Sequence, residues 1–516
     1  MLTAETVGKS SPEWDAQRER ARLSRALMGG TSSMQAAGQR YLPRRQQEDG
    51  DEYKERVGRS VLLNKYKLTM NYLVGQVFQK PVKYQENADG KEQQYDSIFF
   101  ERFQEDVDTQ GTNISMFCKK VFREAMQDGV SFILSEYPAI RIAGDDYGRT
   151  LYQDDDGEWK PRTAEVDAEK GWRPYWVLIT AAQVLDAWLD CGGGKSVLRA
   201  FRYVETLMRE KENGEREEIT RVRAIFPDHW EVWVSVNGKT FELDTQGANS
   251  LGFVPVDWFM PGEQTSETPG LTAIPALDDL AEMNRAHWQG YTDHKSLMVM
   301  SRAPAWLLKC LNLIKGEKIL FGPQRYCATD SEAADIRSIG VDPASIDRSF
   351  EDLKAMEDYM GLYGLQLILP QNAGATATQA QIAASSSDST LKGWVQLLVD
   401  CMENALKKIA EWQGRKDGPA LLINSEFRRP YDASVIQQLA SLVNNGQLPL
   451  IVLFQVLKKM DVLDEDMTFE QYTAGIDEDK KRNAEHMNMG FTPSFGSFPD
   501  DGARNTNRQQ APNQAQ

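Results

Sequence analysis

The 516-residue chain has few cysteines and no long apolar run. Its five cysteines are odd in number and scattered, and none forms a C-x-x-C pair: Cys118, Cys191, Cys310, Cys327 and Cys401. This pattern predicts reduced, buried thiols rather than a disulfide framework or a zinc site. No segment has the roughly 18 consecutive apolar residues of a membrane span. Residues 1–28 are polar and charged, unlike a secretory signal, so we expect a soluble protein made in the cytoplasm.

Basic residues are also scarce relative to acidic ones. The chain has 59 Lys and Arg against 76 Asp and Glu, a formal charge of −17. Proteins that grip nucleic acid neutralise its phosphates with basic surfaces, so this balance argues against ordinary nucleic-acid binding. It suits a surface that repels phosphate, and it equally suits one that is merely soluble, because the sign of the charge does not separate the two.

One glycine-rich segment, Gly192-Gly193-Gly194-Lys195-Ser196, resembles the end of a phosphate-binding loop. That loop requires another glycine where Leu189 stands, and a helix must follow its lysine and serine. Val197–Phe201 predicts a strand instead. We therefore interpret the segment as a hairpin turn.

Two further segments contain residue types that bind metals. Asp154-Asp155-Asp156-Gly157 resembles a calcium loop, but Tyr152 occupies the first ligand position and no helix pair flanks it, which indicates a solvated turn. His287 and His294 share a helix face without an evident third ligand, so we expect surface or interface histidines. No catalytic Ser-His-Asp or Cys-His arrangement is present in the sequence. We expect no enzyme and no cofactor.

Apolar periodicity in the first half predicts a mixture of helices and strands. We expect a mobile arm over residues 1–30, helices over 62–77 and Asn113–Asp128, and a buried strand over Val130–Leu134. Between residues 140 and 256 the apolar period shifts towards two. An antiparallel sheet of five or six strands is predicted there, with these candidate strands: Tyr175–Thr180, Val197–Glu205, Glu217–Phe226, Trp230–Val236 and Thr240–Leu243.

The second half is dominated by long helical patterns, so the predicted fold class is α+β, predominantly helical. A helix over Ile274–Ser301 is followed by a small α/β insertion and a second helix that begins at Ser345 or Asp347. The expected apolar stripe of the second helix is Ile346, Phe350, Leu353, Met356, Met360, Tyr363 and Leu367. A Pro/Gly loop then leads to a third helix over Thr378–Gln413, about 50 Å long if unbroken, with a kink predicted at 383–389.

Five stretches, in this order along the chain, resemble the portal proteins of tailed bacteriophages. They are Tyr41-Leu42-Pro43-Arg44, Asp106-Val107-Asp108-x-x-Gly111-Thr112-Asn113, Arg173-Pro174-Tyr175, Leu277-Asp278-Asp279-Leu280-Ala281-Glu282-Met283-Asn284 and Ala375-Thr376-Ala377-Thr378-Gln379-Ala380. The family commonly has an acidic residue where Gln379 stands, which is a mild departure. The resemblance covers residues 40–480.

This resemblance implies a portal fold with wing, stem, clip and crown regions. The expected regions are a flexible arm (1–30), a wing of helices and antiparallel sheet (31–262), a linker and first stem helix (263–301), a clip (302–345), a second stem helix (346–366), a tunnel loop (367–377), a long helix behind it (378–413), a crown-like helical region (414–486) and a disordered tail (487–516). The tunnel-loop candidates for the DNA channel are Gln371, Asn372, Thr376 and Thr378. The clip candidates for docking are Lys315, Lys318, Gln324 and Arg325.

The resemblance also implies partners and a location. Portal subunits form a homo-oligomeric ring, expected here to be twelve-fold, at one capsid vertex of the virion. Viral double-stranded DNA passes through the ring without sequence specificity during packaging and ejection. The terminase large subunit docks on the clip and a head–tail adaptor later replaces it, while major capsid and scaffolding proteins surround the ring. Two alternatives stay open at this point: a nucleotide-driven DNA-packaging motor or nuclease subunit, and a non-viral helical scaffold protein.

Overall fold

A computed structural model describes residues 2–488 except 86–96, 139, 141, 145–149, 155, 193–195, 212–213, 236–237, 239, 303–304, 310–334, 364–376, 426–439, 444, 460–462 and 464–466. The chain divides into two units, Met1–Phe427 and Arg428–Gln516. It is 47% helical and 21% strand, which confirms the predicted mixture of helix and strand with helix in excess. In the part of the chain that the structure describes, no helix has the length and apolar character needed to cross a membrane.

Helices build most of the first 130 residues. They are α1 (Pro12–Arg20), α2 (Arg22–Ala37, bent at Gly30), α3 (Gly50–Arg59), α4 (Lys65–Val77), α5 (Ser97–Phe103) and α6 (Ile114–Asp128). The α6 bounds confirm the prediction because both caps are local. Asn113 Oδ1 accepts a hydrogen bond from Met116 N at 2.9 Å, and Gly129 ends the helix in the left-handed region at φ 88°.

The N-terminal segment is packed against the rest of the first unit, so the prediction of a mobile arm over residues 1–30 is wrong. Trp14 is 1% exposed, and its ring meets that of Phe132 edge-on with centroids 5.6 Å apart. Gln17 and Leu27 are fully buried. Charged residues cover the exposed face of α1. Its two buried residues, Trp14 and Gln17, make specific contacts that periodicity does not reveal.

The strands between residues 131 and 259 form three antiparallel sheets. The strands are β2 (Ser131–Glu136), β3 (Ile142–Gly144), β4 (Thr150–Gln153), β5 (Trp159–Pro161), β6 (Tyr175–Thr180), β7 (Val184–Asp190), β8 (Val197–Glu210), β9 (Arg216–Ile225), β10 (His229–Ser235), β11 (Glu242–Ala248) and β12 (Val256–Phe259), with β1 (Lys83–Tyr84) before them and helix α7 (Ala164–Lys170) between β5 and β6. The largest sheet has the order β11-β10-β9-β8-β7, which confirms a five-stranded antiparallel sheet. Strand β6, which was predicted as a member of this five-stranded sheet, belongs instead to the sheet β12-β2-β6. The fifth strand of the larger sheet is β7, which was not predicted.

The second half of the first unit follows the predicted helix–insertion–helix–helix order. Its elements are α8 (Asp278–Arg302), β13 (Ala305–Lys309), β14 (Asp335–Ile339), α9 (Pro343–Leu362), α10 (Ala377–Trp412) and β15 (Leu421–Leu422), which pairs with β1. β13 and β14 pair antiparallel. The start of α9 is earlier than predicted, because Asp342 Oδ1 accepts from Ala344 N at 3.2 Å and proline fits the first helical position. α10 is a continuous helix through residues 383–389, where the sequence predicts a kink.

The largest hydrophobic core packs α10 against α2, α4 and α6. The predicted α10 stripe is buried as expected at Leu391, Val395, Leu398, Met402, Ala405 and Ile409. The α9 stripe is only partly buried, since Leu353 and Met360 are buried whereas Phe350 is 60% and Tyr363 50% exposed. The prediction is wrong for those two aromatics because α9 packs along α8, and one neighbouring helix covers only a narrow face.

The second unit contains two helices in its described part, α11 (Leu450–Lys459) and α12 (Phe469–Asn488). The Phe454 ring contacts those of Phe469 and Tyr472, with centroids 5.4 and 5.2 Å away, which joins the helices. The predicted disordered tail over 487–516 lies outside the described residues from 489 onward.

Candidate functional site

The residues predicted to contact DNA or docking partners fall mostly outside the described part of the chain. This applies to the tunnel-loop candidates Gln371, Asn372 and Thr376 and to the clip candidates Lys315, Lys318, Gln324 and Arg325. Thr378 is the second residue of α10, and only its backbone is described. What the structure does describe is the frame that carries these segments: α8 and α9 on either side of the β13–β14 hairpin, and α10 after the predicted loop.

The contact between α8 and α9 includes two polar pairs made by histidines of α8. His287 Nε2 lies 3.1 Å from Glu357 Oε1, and His294 Nδ1 lies 3.2 Å from Ser349 Oγ. The helices also approach closely at Gly290, where an added Cβ would be 3.3 Å from Leu353 Cδ2. The contact therefore combines polar pairs with the buried Leu353, whereas the core around α10 is apolar.

The expectation of surface or interface histidines is corrected, because both histidines are buried between two helices of the same chain. His287 is fully buried and His294 is 9% exposed. Burial lowers the pKa of His287, although the hydrogen bond to Glu357 opposes the effect. Across the described residues, no three His, Cys, Asp or Glu side chains are grouped as metal ligands. The pair instead has a structural role in joining two helices.

A fully buried asparagine also fixes α8 to the start of α4 and the residues before it. Asn284 Oδ1 accepts from Tyr66 N at 3.0 Å, and Asn284 Nδ2 donates to Leu63 O at 2.9 Å. Further along the helix, Gln289 Nε2 donates to Tyr41 O at 2.6 Å. Stretch 41–44 of the portal resemblance is thus bonded to α8, the helix whose N-terminal part contains most of stretch 277–284.

Two other stretches of that resemblance also lie together. Gly111 N donates to Asp106 Oδ1 at 2.9 Å, which closes a tight loop before α6. Arg173 then pairs with the same carboxylate at 2.7 Å, and Trp176 N donates to Val107 O at 2.8 Å. The loop therefore caps α6 and attaches the start of β6 to it.

The C-terminal half of α10 is anchored on the sheet β12-β2-β6. Lys408 Nζ pairs with Asp257 Oδ1 at 2.8 Å and donates to Val256 O at 2.9 Å. Burial raises the pKa of Asp257, and the Lys408 charge opposes that shift. Trp412 Nε1 donates to Ser135 O at 3.1 Å. These bonds hold the helix that follows the predicted tunnel loop.

The glycine-rich segment at 192–196 connects two antiparallel strands, as predicted. Asp190 pairs with Val197, and Leu189 pairs with Leu198. A phosphate-binding loop needs a helix N-terminus at this position to face the phosphates, and β8 stands there instead. The acidic turn at Asp154 likewise joins the neighbouring strands β4 and β5, with Asp154 N bonded to Glu158 O at 2.8 Å.

The cysteines whose structure is described are free thiols. Cys118 and Cys401 are buried, and burial raises the pKa of both. Cys191 is exposed, so the expectation of a buried thiol is wrong at that position because the residue lies in a hairpin turn. Cys310 and Cys327 lie outside the described residues.

One protein family matches the segment that contains α8, β13, β14, α9 and α10. A family described as a domain of unknown function (DUF4055) matches residues 276–413, about a quarter of the chain, from the start of α8 to the end of α10. No curated protein matches the sequence.

Among solved structures, the chain is similar to chains of phage-like gene transfer agent particles. One is from the virion of the native particle, with 9% identity and a TM-score of 0.37, covering 74% of this chain and 85% of the other. Another is from the neck of the native particle, solved with C12 symmetry, with 9% identity and a TM-score of 0.38, covering 75% and 86%.

Proposed function

We propose that this chain is a portal protein, one subunit of a ring at a capsid vertex through which double-stranded DNA is packaged and ejected. The observation that carries the proposal is the order α8, β13–β14 hairpin, α9 and α10. α8 and α9 have 25 and 20 residues, so they are roughly 37 and 30 Å long. They would be the stem helices, and the hairpin between them would form part of the clip.

In this proposal the other regions keep their predicted roles. The wing would include residues 31–262, and we extend it to the helices of residues 2–30 because they are packed against the rest of the first unit. The tunnel loop (367–377) would reach towards the DNA, with α10 behind it and a crown-like region after residue 414. The terminase large subunit and the head–tail adaptor would dock on the clip, while capsid and scaffolding proteins would contact the outside of the ring.

The charge of the chain supports a passive conduit. Twelve copies at −17 each would give a ring of about −200 formal charge before counterion screening. Such a surface discourages phosphates from adhering, whereas neutral polar residues such as Gln371 and Asn372 could touch DNA without a permanent ion pair. The DNA would therefore pass without being gripped. No bond needs to be made or broken by this chain.

The mass of the purified protein tests the proposal directly. A subunit has a mass of 58.3 kDa, so a twelve-fold ring would be about 700 kDa by light scattering and would show a central hole in electron micrographs. A monomer at every concentration and salt would overturn the proposal and favour a non-viral helical scaffold protein. ATP hydrolysis that Lys195→Ala abolishes would favour the motor subunit instead.

A further inference from the structure

An open cleft of about 460 Å³ separates α3 from the C-terminal half of α8. Its rim carries Arg45, Arg59 and Lys295, and its α8 wall ends in Val299 and Met300, which are 48% and 57% exposed. Small-molecule sites are enclosed, whereas this cleft is open and combines apolar surface with charged side chains, as contacts between proteins do.

The far wall of the cleft is held rigidly by a buried ion pair. Arg56 Nε lies 2.6 Å from Glu48 Oε1, and both side chains are less than a tenth exposed. The hydrogen bond from Arg56 lowers the pKa of Glu48 to about 2, so the pair stays charged at neutral pH. Arg45 also reaches across to Asp293 on α8. The cleft is therefore preformed in the isolated subunit.

This cleft and α9 lie on opposite faces of α8. Ser296 lines the cleft, and it follows His287, which faces α9, by nine residues or about two and a half helical turns. The same spacing separates Val299 in the cleft from Gly290, where α9 comes closest. One helix thus carries the cleft on one side and α9 on the other.

α9 presents a free acidic face away from α8. Asp347, Glu351 and Asp358 are exposed and lie about half a turn around the helix from the buried Leu353. The whole helix carries five carboxylates against two cations. Tyr359, which is 63% exposed, adds an apolar ring beside the acidic face.

The cleft offers this acidic face one cation. Its arginines are already paired within the subunit, Arg45 with Asp293, Arg56 with Glu48 and Arg59 with Glu55. Lys295 is therefore the cation of the cleft lining that can pair with a carboxylate of α9. Both surfaces also leave apolar groups uncovered.

We propose that α9 of one copy docks into the α3–α8 cleft of the next copy around the ring. This inference rests on the proposed function, because it assigns the contact by which the ring closes. Two different, complementary surfaces on opposite faces of one subunit are what head-to-tail association with cyclic closure requires. Burial of Val299, Met300 and the Tyr359 ring supplies the affinity, and the rim charges set the register and the association rate.

Cysteine cross-linking tests the contact. In a chain with Cys191, Cys310 and Cys327 replaced by serine, Lys295→Cys combined with Glu351→Cys should give, with a short bismaleimide, a ladder that extends to the full ring. The matched control combines Lys295→Cys with Lys392→Cys, an exposed position on α10, and should give no ladder. Dimers formed by Lys295→Cys alone would indicate a two-fold contact and overturn the inference.

Light scattering on the same samples separates this inference from the proposed function. A ring without the ladder would overturn the contact and leave the portal function standing, whereas a monomer would overturn both. Charge reversal gives an independent readout: Glu351→Lys should weaken ring assembly about tenfold at low salt, and Lys295→Glu in the same chain should restore it. Failure of the second change to restore assembly, with both proteins folded, would contradict the pairing.

Discussion

Replacement of Gln17 tests whether the N-terminal helix is part of the folded frame. Its side chain is fully buried between α6 and the segment that leads to α8. Gln17 Nε2 donates to Asp128 O at 2.6 Å and to Ala273 O at 2.7 Å, and Ala273 N donates to Gln17 Oε1 at 3.1 Å. Gln17→Met keeps the chain length and the helix propensity, so it removes mainly these three hydrogen bonds.

The expected cost follows from the groups left without partners. A buried polar group that loses its hydrogen bond costs about 1–3 kcal/mol. Two carbonyls and one amide lose a partner, and a carbonyl at the edge of the packing can relax towards water, so we expect about 2–4 kcal/mol in total. The backbones at Gly129 and Ala273 are in close contact, since a Cβ on Gly129 would lie 2.5 Å from Ala273 O. The backbone therefore has little room to re-form the bonds.

Amide hydrogen exchange at Ala273 measures this loss locally, which matters because a chain of two units need not unfold in one step. A loss of 2–4 kcal/mol corresponds to about 30- to 1000-fold faster exchange there. Gln46→Met, the same change at an exposed glutamine, is the control and should leave exchange unchanged. Equal exchange in the two variants, or fast exchange of α1 in the unmodified protein, would refute the account of a packed N-terminal segment.

Two further predictions concern α8. Asn284→Ala should destabilise the first unit by about 2–4 kcal/mol, because it leaves Tyr66 N and Leu63 O unpaired in the core. Denaturant unfolding should show a lower midpoint at an unchanged slope. Asn404→Ala, the same change at an exposed asparagine, is the control. The lowered pKa of His287 means that the folded state favours the neutral ring. Stability should therefore fall as the pH drops below the ordinary value of 6.5, and His287→Gln should flatten that dependence in melting curves; an identical pH dependence in both proteins would contradict it.

Elements with local signals were predicted well from the sequence. α6 has Asn113 and Gly129 as its caps, and its apolar residues recur at helical spacing, so its bounds are a property of its own residues. The order of α8, α9 and α10 was also predictable, since each is long and bounded by Pro or Gly. The sheet was predictable as antiparallel because short turns separate its strands.

The errors arise where a distant partner decides the environment of a side chain. Gln17 is buried because two carbonyls and an amide from elsewhere in the chain meet it, and nothing near it in sequence indicates this. Phe350 and Tyr363 fit an apolar stripe, yet α8 covers too little of α9 to bury them. β6 was assigned to the wrong sheet because β2, the strand it pairs with there, is far away in sequence.

Four of the five stretches that carry the portal resemblance lie at contacts between elements of the first unit, whereas the fifth, 375–380, includes the tunnel-loop candidates Thr376 and Thr378. Asp106 closes a loop and holds Arg173, and Asn284 fixes α8 to α4. These residues are joints of the frame, and none of them belongs to the predicted tunnel loop or clip candidates. A conduit that only guides a uniform polymer requires exact placement of its loops and little specific chemistry within them. The recognisable sequence signals should then lie mainly at the joints that set the placement, as four of the five stretches do.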